Sequence, residues 1–350
     1  MTLLERLSVS LPIIQAPMAG TSTPEMAAEV SNTGALGSIA VGATDAAGAQ
    51  AMIEKVRAQT DRAFNVNLFV HAPPRRDPVR EAAWIGALTP LFEAEHATPP
   101  AELREIYTSF AEDDAMLRLL IERAPPVVSF HFGLPSTDRI AALKGAGCLL
   151  LATATNLAEA DAVREAGIDA VVAQGWEAGG HRGMFDPDAP DDRLGTVALT
   201  RLLVAKSGLP VIAAGGIMDG AVIRAMLDLG AVAAQLCTAF IACPESSADA
   251  YHRAALMSDA SRHTVMTRAI SGRPARCLAN RFTEWGEGQT LPPADYPVAY
   301  DAGKALNAAA RAKGDGGYGA QWAGQGAPLA RSMPAAELIA TLASEAGFDR

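Results

Sequence analysis

Eight short apolar runs recur along the first 240 residues, at 11–15, 35–40, 64–70, 127–132, 148–154, 169–173, 209–216 and 231–240. Each run is long enough for a strand and too short for a helix, and the segments between them carry helical spacing. Helix starts and stops punctuate the alternation. Thr23-Pro24-Glu25 reads as a capped first turn with a proline in it, and Gly34, Gly167 and Gly230 close helices before the next run. Helices are predicted over 46–59, 136–144, 156–166, 196–207 and 219–229. Near-continuous hydrophobic strands alternating with helices call for parallel pairing covered on its faces, and eight of them call for closure into a (β/α)₈ TIM barrel. A doubly wound open sheet is the alternative. No GxGxxG follows the first run, and polar or glycine residues recur at the C-terminal end of nearly every run, as a barrel with one catalytic face requires.

Two stretches break the rhythm. Residues 71–123 are irregular and mostly helical, with Pro73-Pro74 and Pro99-Pro100 as punctuation, and are too long for an ordinary crossover. Beyond residue 241 the chain continues through a helical stretch at 248–257, a basic extended stretch at 266–276, and helices at 299–312 and 334–346. The organisation expected is therefore a barrel of residues 1–241 plus 321–350, carrying the 71–123 excursion after the third strand, with 242–320 as an inserted, partly helical cap.

Composition narrows the class. The 350 residues are 49% hydrophobic and 19% charged, which suits a compact enzyme scaffold. A net charge of −10 excludes a phosphate backbone as the natural partner, so no nucleic acid is expected, and an anionic substrate would need local positive charge against that field. Cys148, Cys237, Cys243 and Cys277 show no CxxC spacing, so neither a metal site nor a disulfide framework is expected. The N-terminus lacks the charged and apolar regions of a signal peptide, and no apolar run reaches membrane-spanning length. A cytoplasmic protein with no membrane partner, monomeric or homodimeric, is the expectation.

The sixth run opens into AQGWEAGGHRG, residues 173–183, which packs a glutamine, a histidine and an arginine among glycines at a strand end. Glycine lets backbone approach a ligand, and histidine moves protons near neutral pH. Gly215-Gly216 after the seventh run and Gln235, Leu236, Cys237 and Thr238 after the eighth lie where barrels build phosphate sites from backbone N–H groups, so a phosphate-bearing cofactor is implied. Asn65 and Asn67 share one face of the third strand, with Asn67 at its ligand-facing end. His131 in SFHFG either faces the cofactor or packs internally. Tyr296, Tyr300 and Lys304, spaced by four, would stack on one helix face. Arg268, Arg273 and Arg276 either bind phosphate or staple the cap through ion pairs, the second being the favoured reading.

Taken together, QAPMAG (15–20), NVNLF (65–69), SFHFG (129–133), QGWEAGGHRG, AAGGIMDG (213–220), QLCTAF (235–240), TRAISGRPAR (267–276) and GYGAQWAGQGAPLAR (317–331) resemble nitronate monooxygenases of class I, formerly 2-nitropropane dioxygenases, in order and over almost the whole chain. The resemblance implies an FMN-dependent barrel that oxidises alkyl nitronates such as propionate 3-nitronate with O₂ to a carbonyl product and nitrite. It implies FMN contacts at Asn67, Gln174, Gly179, Gly180, Gly215, Gly216 and Gln235 to Thr238, with Met18 and Ala19 beside the ring system. His181 falls on the family's active-site histidine, acting as base or as electrostatic anchor, and Tyr296, Tyr300 and Lys304 reach toward the substrate. Cys237 stands where the family usually has glycine. The competing enzyme reading is an FMN-dependent NAD(P)H reductase of the enoyl-[acyl-carrier-protein] or quinone type. The competing non-enzyme reading is a flavin-binding sensor.

Overall fold

A computed structural model of the protein describes residues 2–348. Eight parallel strands form one sheet: β1 (Ile13–Gln15), β2 (Gly37–Ala40), β3 (Phe64–Phe69), β4 (Val127–His131), β5 (Leu149–Ala154), β6 (Ala170–Gln174), β8 (Val211–Ala214) and β9 (Ala233–Leu236). A two-residue strand, β7 (Gly180–His181), lies outside this sheet. The order is β1-β9-β8-β6-β5-β4-β3-β2, and the ring closes where Ile14 bridges Leu36. The expected TIM barrel is the fold. Strands are shorter than their apolar runs, because the ladder ends where the chain turns to Gly215-Gly216 and to the 3₁₀ turn Thr238–Phe240.

Helices alternate with the strands: α1 (Leu3–Arg6), α2 (Pro24–Asn32), α3 (Ala46–Arg57), α4 (Pro78–Ala94), α5 (Asp114–Arg123), α6 (Thr137–Gly145), α7 (Leu157–Glu165), α8 (Thr196–Lys206) and α9 (Gly220–Asp228). Short polar caps start most of them. Thr23, Asp45, Asn156 and Asp219 each accept a backbone N–H from the first turn of α2, α3, α7 and α9. Inside the barrel, Ile14, Leu36, Leu151, Val172 and Ile212 fill the lumen, and Leu3, Leu7 and Val9 from α1 and its exit join the same buried cluster. That packing plugs the N-terminal end, as is usual for a barrel whose site lies at the C-terminal face.

The remaining helices are α10 (Ala250–Leu256), α11 (Arg281–Glu287), α12 (Val298–Arg311) and α13 (Ala335–Glu345). α13 buries Leu338, Ile339 and Leu342 against α2 and α9, in the place of the last barrel helix. The basic stretch 266–276 is not one extended segment. It is the end of β10 (Thr264–Thr267), a turn, and the start of β11 (Ala275–Leu278), which pair antiparallel with each other, while β11 also pairs with β7. Trp84, Leu88 and Phe92 of α4 share one core with Ile270, Phe282, Val298 and Leu306, so the excursion's first helix packs on the segments beyond the barrel. Each such large apolar side chain contributes on the order of 1.5–3 kcal/mol. The result is a wall over one side of the barrel mouth.

Candidate active site

The mouth holds a chamber of about 1310 Å³ including its opening to solvent. Its floor is made of strand ends: Asn67, Ser129, His131, Thr153, Gln174, Ala214 and Gln235. Alternation along β9 turns Gln235 and Cys237 inward, while Leu236 between them points out into the helix layer and is 1% exposed. Leu236 therefore offers no side chain to the chamber. Met18, Ala19, Gly179, Gly180, His181, Gly215, Gly216, Thr238, Tyr296 and Tyr300 all line it.

Lys304 does not line it. Its ammonium sits on the far side of the wall, 4.8 Å from the Tyr107 ring centroid and 5.3 Å from that of Tyr300. The spacing of four misleads for Tyr296 as well: α12 begins at Val298 after Pro297, so Tyr296 precedes the helix. It reaches the chamber from the loop while Tyr300 does so from the first turn. Tyr107, Trp322, His252, Phe69 and Met218 line the chamber without having been singled out. Tyr107 comes from the irregular excursion and Trp322 from a glycine-rich loop, neither of which has a periodicity to mark a face.

The loop after β6 is held from three directions. Gln174 accepts from the Gly183 N–H at 2.7 Å and donates to the His181 carbonyl at 3.0 Å, which leaves one of its amide hydrogens free. Arg182, 2% exposed, forks onto Asp191 at 2.9 and 3.0 Å and donates to the Gln174 carbonyl. Glu177 accepts from Thr196 N and Oγ1, at 2.8–3.0 Å, capping α8 where Gly195 has no side chain to do so. Glu177 and Arg182 are thus structural members of the motif. Gly179 is required by contact: a Cβ there would stand 2.4 Å from the Gly324 nitrogen.

His131 supports the same loop. Its Nε2 is 3.2 Å from the His181 carbonyl oxygen, which can only accept, so Nε2 carries the proton and Nδ1 accepts from the Thr153 hydroxyl at 3.0 Å. The His181 ring stands among Phe132, Tyr296, Tyr300 and Trp322, with centroids 5.0–6.1 Å away. Burial, with smaller contributions from His131, Arg273 and His71, holds its pKa well below the usual histidine value. The imidazole is neutral at pH 7.

Positive charge comes from a different residue. Arg273 is 3% exposed, lies 4.2 Å over the Phe132 ring, and has no carboxylate within ion-pair distance among the described residues. Burial lowers its pKa to about 10, so it remains charged at neutral pH. It donates instead to the Met184 carbonyl. Arg276 likewise bonds the Trp176 carbonyl and Thr264, and of the three arginines expected to form ion pairs only Arg268 does, with Asp188 at 2.8 Å. The cause is that Arg273 and Arg276 face loop carbonyls rather than acidic side chains.

At the other end of the chamber, among the described residues, no hydrogen bond claims the backbone N–H groups of Gly216, Cys237 or Thr238. Gly216 has φ +68°, in the left-handed region that glycine adopts freely. Three unclaimed donors on residues lining one chamber, beside a 3₁₀ turn, suit a phosphate.

The family model described as "Nitronate monooxygenase" matches residues 1–345. The chain belongs to the nitronate monooxygenase family. Relatives carrying that name include one from Paraburkholderia phytofirmans, 62% identical over 98% of this chain and 94% of its own length, and one from Pseudomonas aeruginosa, 54% identical over 97% of each. Among solved structures, nitroalkane oxidase from Streptomyces ansochromogenes superposes with a TM-score of 0.89 at 40% identity, covering 99% of this chain and 98% of its own. FabK from Thermotoga maritima is more distant, at a TM-score of 0.75 and 28% identity, covering 99% and 96%. The protein is an oxidoreductase of the nitronate monooxygenase type, and the family is flavin-dependent. Among the described residues, no helix is long and apolar enough to cross a membrane.

The chamber fits a flavin bearing a phosphate. The unclaimed N–H groups give the anion donors, and the spare amide hydrogen of Gln174 together with Asn67, whose Nδ2 bonds Ser129 at 2.9 Å, gives polar partners for a heterocycle edge. Cys237 carries one of these unclaimed backbone N–H groups. Its half-buried side chain lines the chamber, and desolvation pushes the thiol pKa up to about 12, so it is uncharged.

Proposed function

We propose that this chain binds FMN in the barrel mouth and oxidises alkyl nitronates, such as propionate 3-nitronate, with O₂ to a carbonyl product and nitrite. The observation that carries the reading is the pairing, within one chamber, of an unclaimed N–H cradle at one end and a neutral, aromatic-caged His181 at the other. FMN, when bound, supplies the electron acceptor and the reactivity with oxygen. Gly216, Cys237 and Thr238 hold its phosphate, and Asn67 and Gln174 meet the polar edge of its ring system. His181 then contacts the substrate's reacting carbon or nitro group, and a neutral imidazole suits proton removal from a nitroalkane better than charge pairing with a nitronate. The fixed charge of Arg273, buried against Phe132, favours the anionic form of the substrate in a protein whose overall charge opposes it. Tyr107, Tyr296, Tyr300 and Trp322 exclude water around that group. Four free thiols are consistent with a reducing, cytoplasmic setting.

The test is the absorption spectrum of the purified protein followed by oxygen uptake. A yellow protein consuming O₂ with propionate 3-nitronate and unaffected by NADH or NADPH under anaerobic conditions is the expected result. Absence of uptake at saturating FMN overturns the reading, and rapid anaerobic bleaching by a reduced nicotinamide replaces it with a reductase.

A further inference from the structure

Ser271 lies in the turn between β10 and β11, 0% exposed, 90 residues from His181 in sequence. Two features place it. β11 pairs with β7, setting Ala275 opposite His181. Gly272, at φ +88°, lets the turn press against the 294–296 segment, where a Cβ would stand 2.4 Å from the Ala294 carbonyl oxygen. The Ser271 hydroxyl consequently meets three groups: His181 Nε2 at 2.9 Å, the Arg273 carbonyl at 3.2 Å and the Arg273 N–H at 3.5 Å.

A serine hydroxyl has one hydrogen and two lone pairs. The Arg273 carbonyl has no other hydrogen-bond donor among the described residues, and a buried acceptor left unmade is costly. One assignment satisfies every group: Ser271 donates to the Arg273 carbonyl and accepts from both the Arg273 N–H and His181 Nε2–H. The reverse arrangement, with Ser271 donating to Nε2, orphans the carbonyl. His181 Nδ1 makes no hydrogen bond and is not among the occluded unpartnered atoms, so it keeps access to the chamber that the ring lines.

We infer that Ser271 is a positioning residue that holds His181 as its Nε2–H tautomer, so that Nδ1 presents a lone pair to the substrate as the base. This deepens the function proposed above and rests on His181 meeting the substrate. It also divides the labour: His181 removes a proton, and positive charge for the anion comes from elsewhere. Deprotonation is needed for a neutral nitroalkane and not for a preformed nitronate, so the tautomer matters for the first substrate and little for the second.

The experiment is ¹⁵N NMR of the histidine rings in the flavin-bound enzyme, with the His181 signals among the six histidines identified by their loss in His181→Asn. The wild type is expected to show a protonated Nε2 and an unprotonated Nδ1. In Ser271→Ala that preference is lost, and kcat/KM for a neutral nitroalkane falls about 10- to 100-fold, less than the roughly 10²–10⁴-fold that a whole general base contributes because the base itself remains, while that for the nitronate changes little. Where alanine does not fold, Ser271→Cys keeps the volume with a much weaker acceptor. A wild-type Nδ1–H tautomer, or an unchanged tautomer in the folded variant, overturns the inference. The ring signals are read without turnover, so an inactive protein with the expected tautomer would instead count against the nitronate reading alone.

Discussion

His71 offers a direct measure of what the buried site costs in stability. It follows β3, is 2% exposed, and sets its edge toward Tyr296 at 5.1 Å and Phe132 at 6.5 Å, with neither ring nitrogen bonded to any described group. Burial first, and the charge of Arg273 second, lower its pKa to about 4. In the unfolded chain the same ring titrates near 6.5. Between those values the unfolded state binds a proton that the folded state refuses, so stability falls as the pH is lowered through that window. Linkage sets the loss at about 2 kcal/mol near pH 5 and about 3.4 kcal/mol when the window is fully crossed. His131, also lowered to about 4, adds a comparable amount. The replacement His71→Phe keeps an aromatic edge in the wall and removes the titration. It is expected to be at least as stable as the wild type at neutral pH, because two unpartnered nitrogens disappear. Urea unfolding at neutral pH and near pH 5 is the assay: the wild type loses about 2 kcal/mol more between the two conditions than the variant does. His131 and His181 titrate in both proteins, so the difference isolates His71. Equal losses would show that His71 is hydrated or partnered, and would refute the reasoning.

Three further outcomes follow from the site. His181→Asn lowers kcat/KM for neutral nitroalkanes by about 100-fold or more, as steady-state oxygen consumption would show, and full retention of turnover on nitroalkane and nitronate alike removes His181 from the chemistry. Gly179→Ala forces a Cβ to within 2.4 Å of the Gly324 nitrogen, so the loop shifts and the purified protein retains less flavin per chain by absorbance. Asp191→Ala strands the Arg182 guanidinium, whose side chain is 1% exposed, and costs about 3 kcal/mol in urea unfolding, toward the low end for a broken buried pair because Asp191 keeps some contact with water.

The barrel was legible because its signal is local. Runs such as LLLATA of β5 and VIAA of β8 are apolar on both faces, which only a strand covered on both sides tolerates. The candidate cofactor residues could be picked out for the same reason, since Gly215, Gly216 and Gln235 to Thr238 sit at strand ends whatever the rest of the chain does. The wall was not. Nothing in Gly180-His181 announces a strand, because its partner β11 lies some 95 residues away and the pairing has no local signature. Tyr296 shared the spacing of Tyr300 and Lys304, yet Pro297 starts the helix after it, and Lys304 ends outside the chamber.

The same boundary runs through the active-site loop. Sequence alone marked Gln174, Gly179 and His181, because glycines and polar groups at the end of a buried strand have few structural reasons to be there. It left open whether His181 acts as base or as anchor. That depends on a ring of aromatic side chains from three separate segments, an arginine over Phe132 with no carboxylate partner among the described residues, and a serine contact made 90 residues away. A histidine's charge and tautomer are set by what surrounds it in space, and these surroundings are assembled by packing that no local pattern encodes.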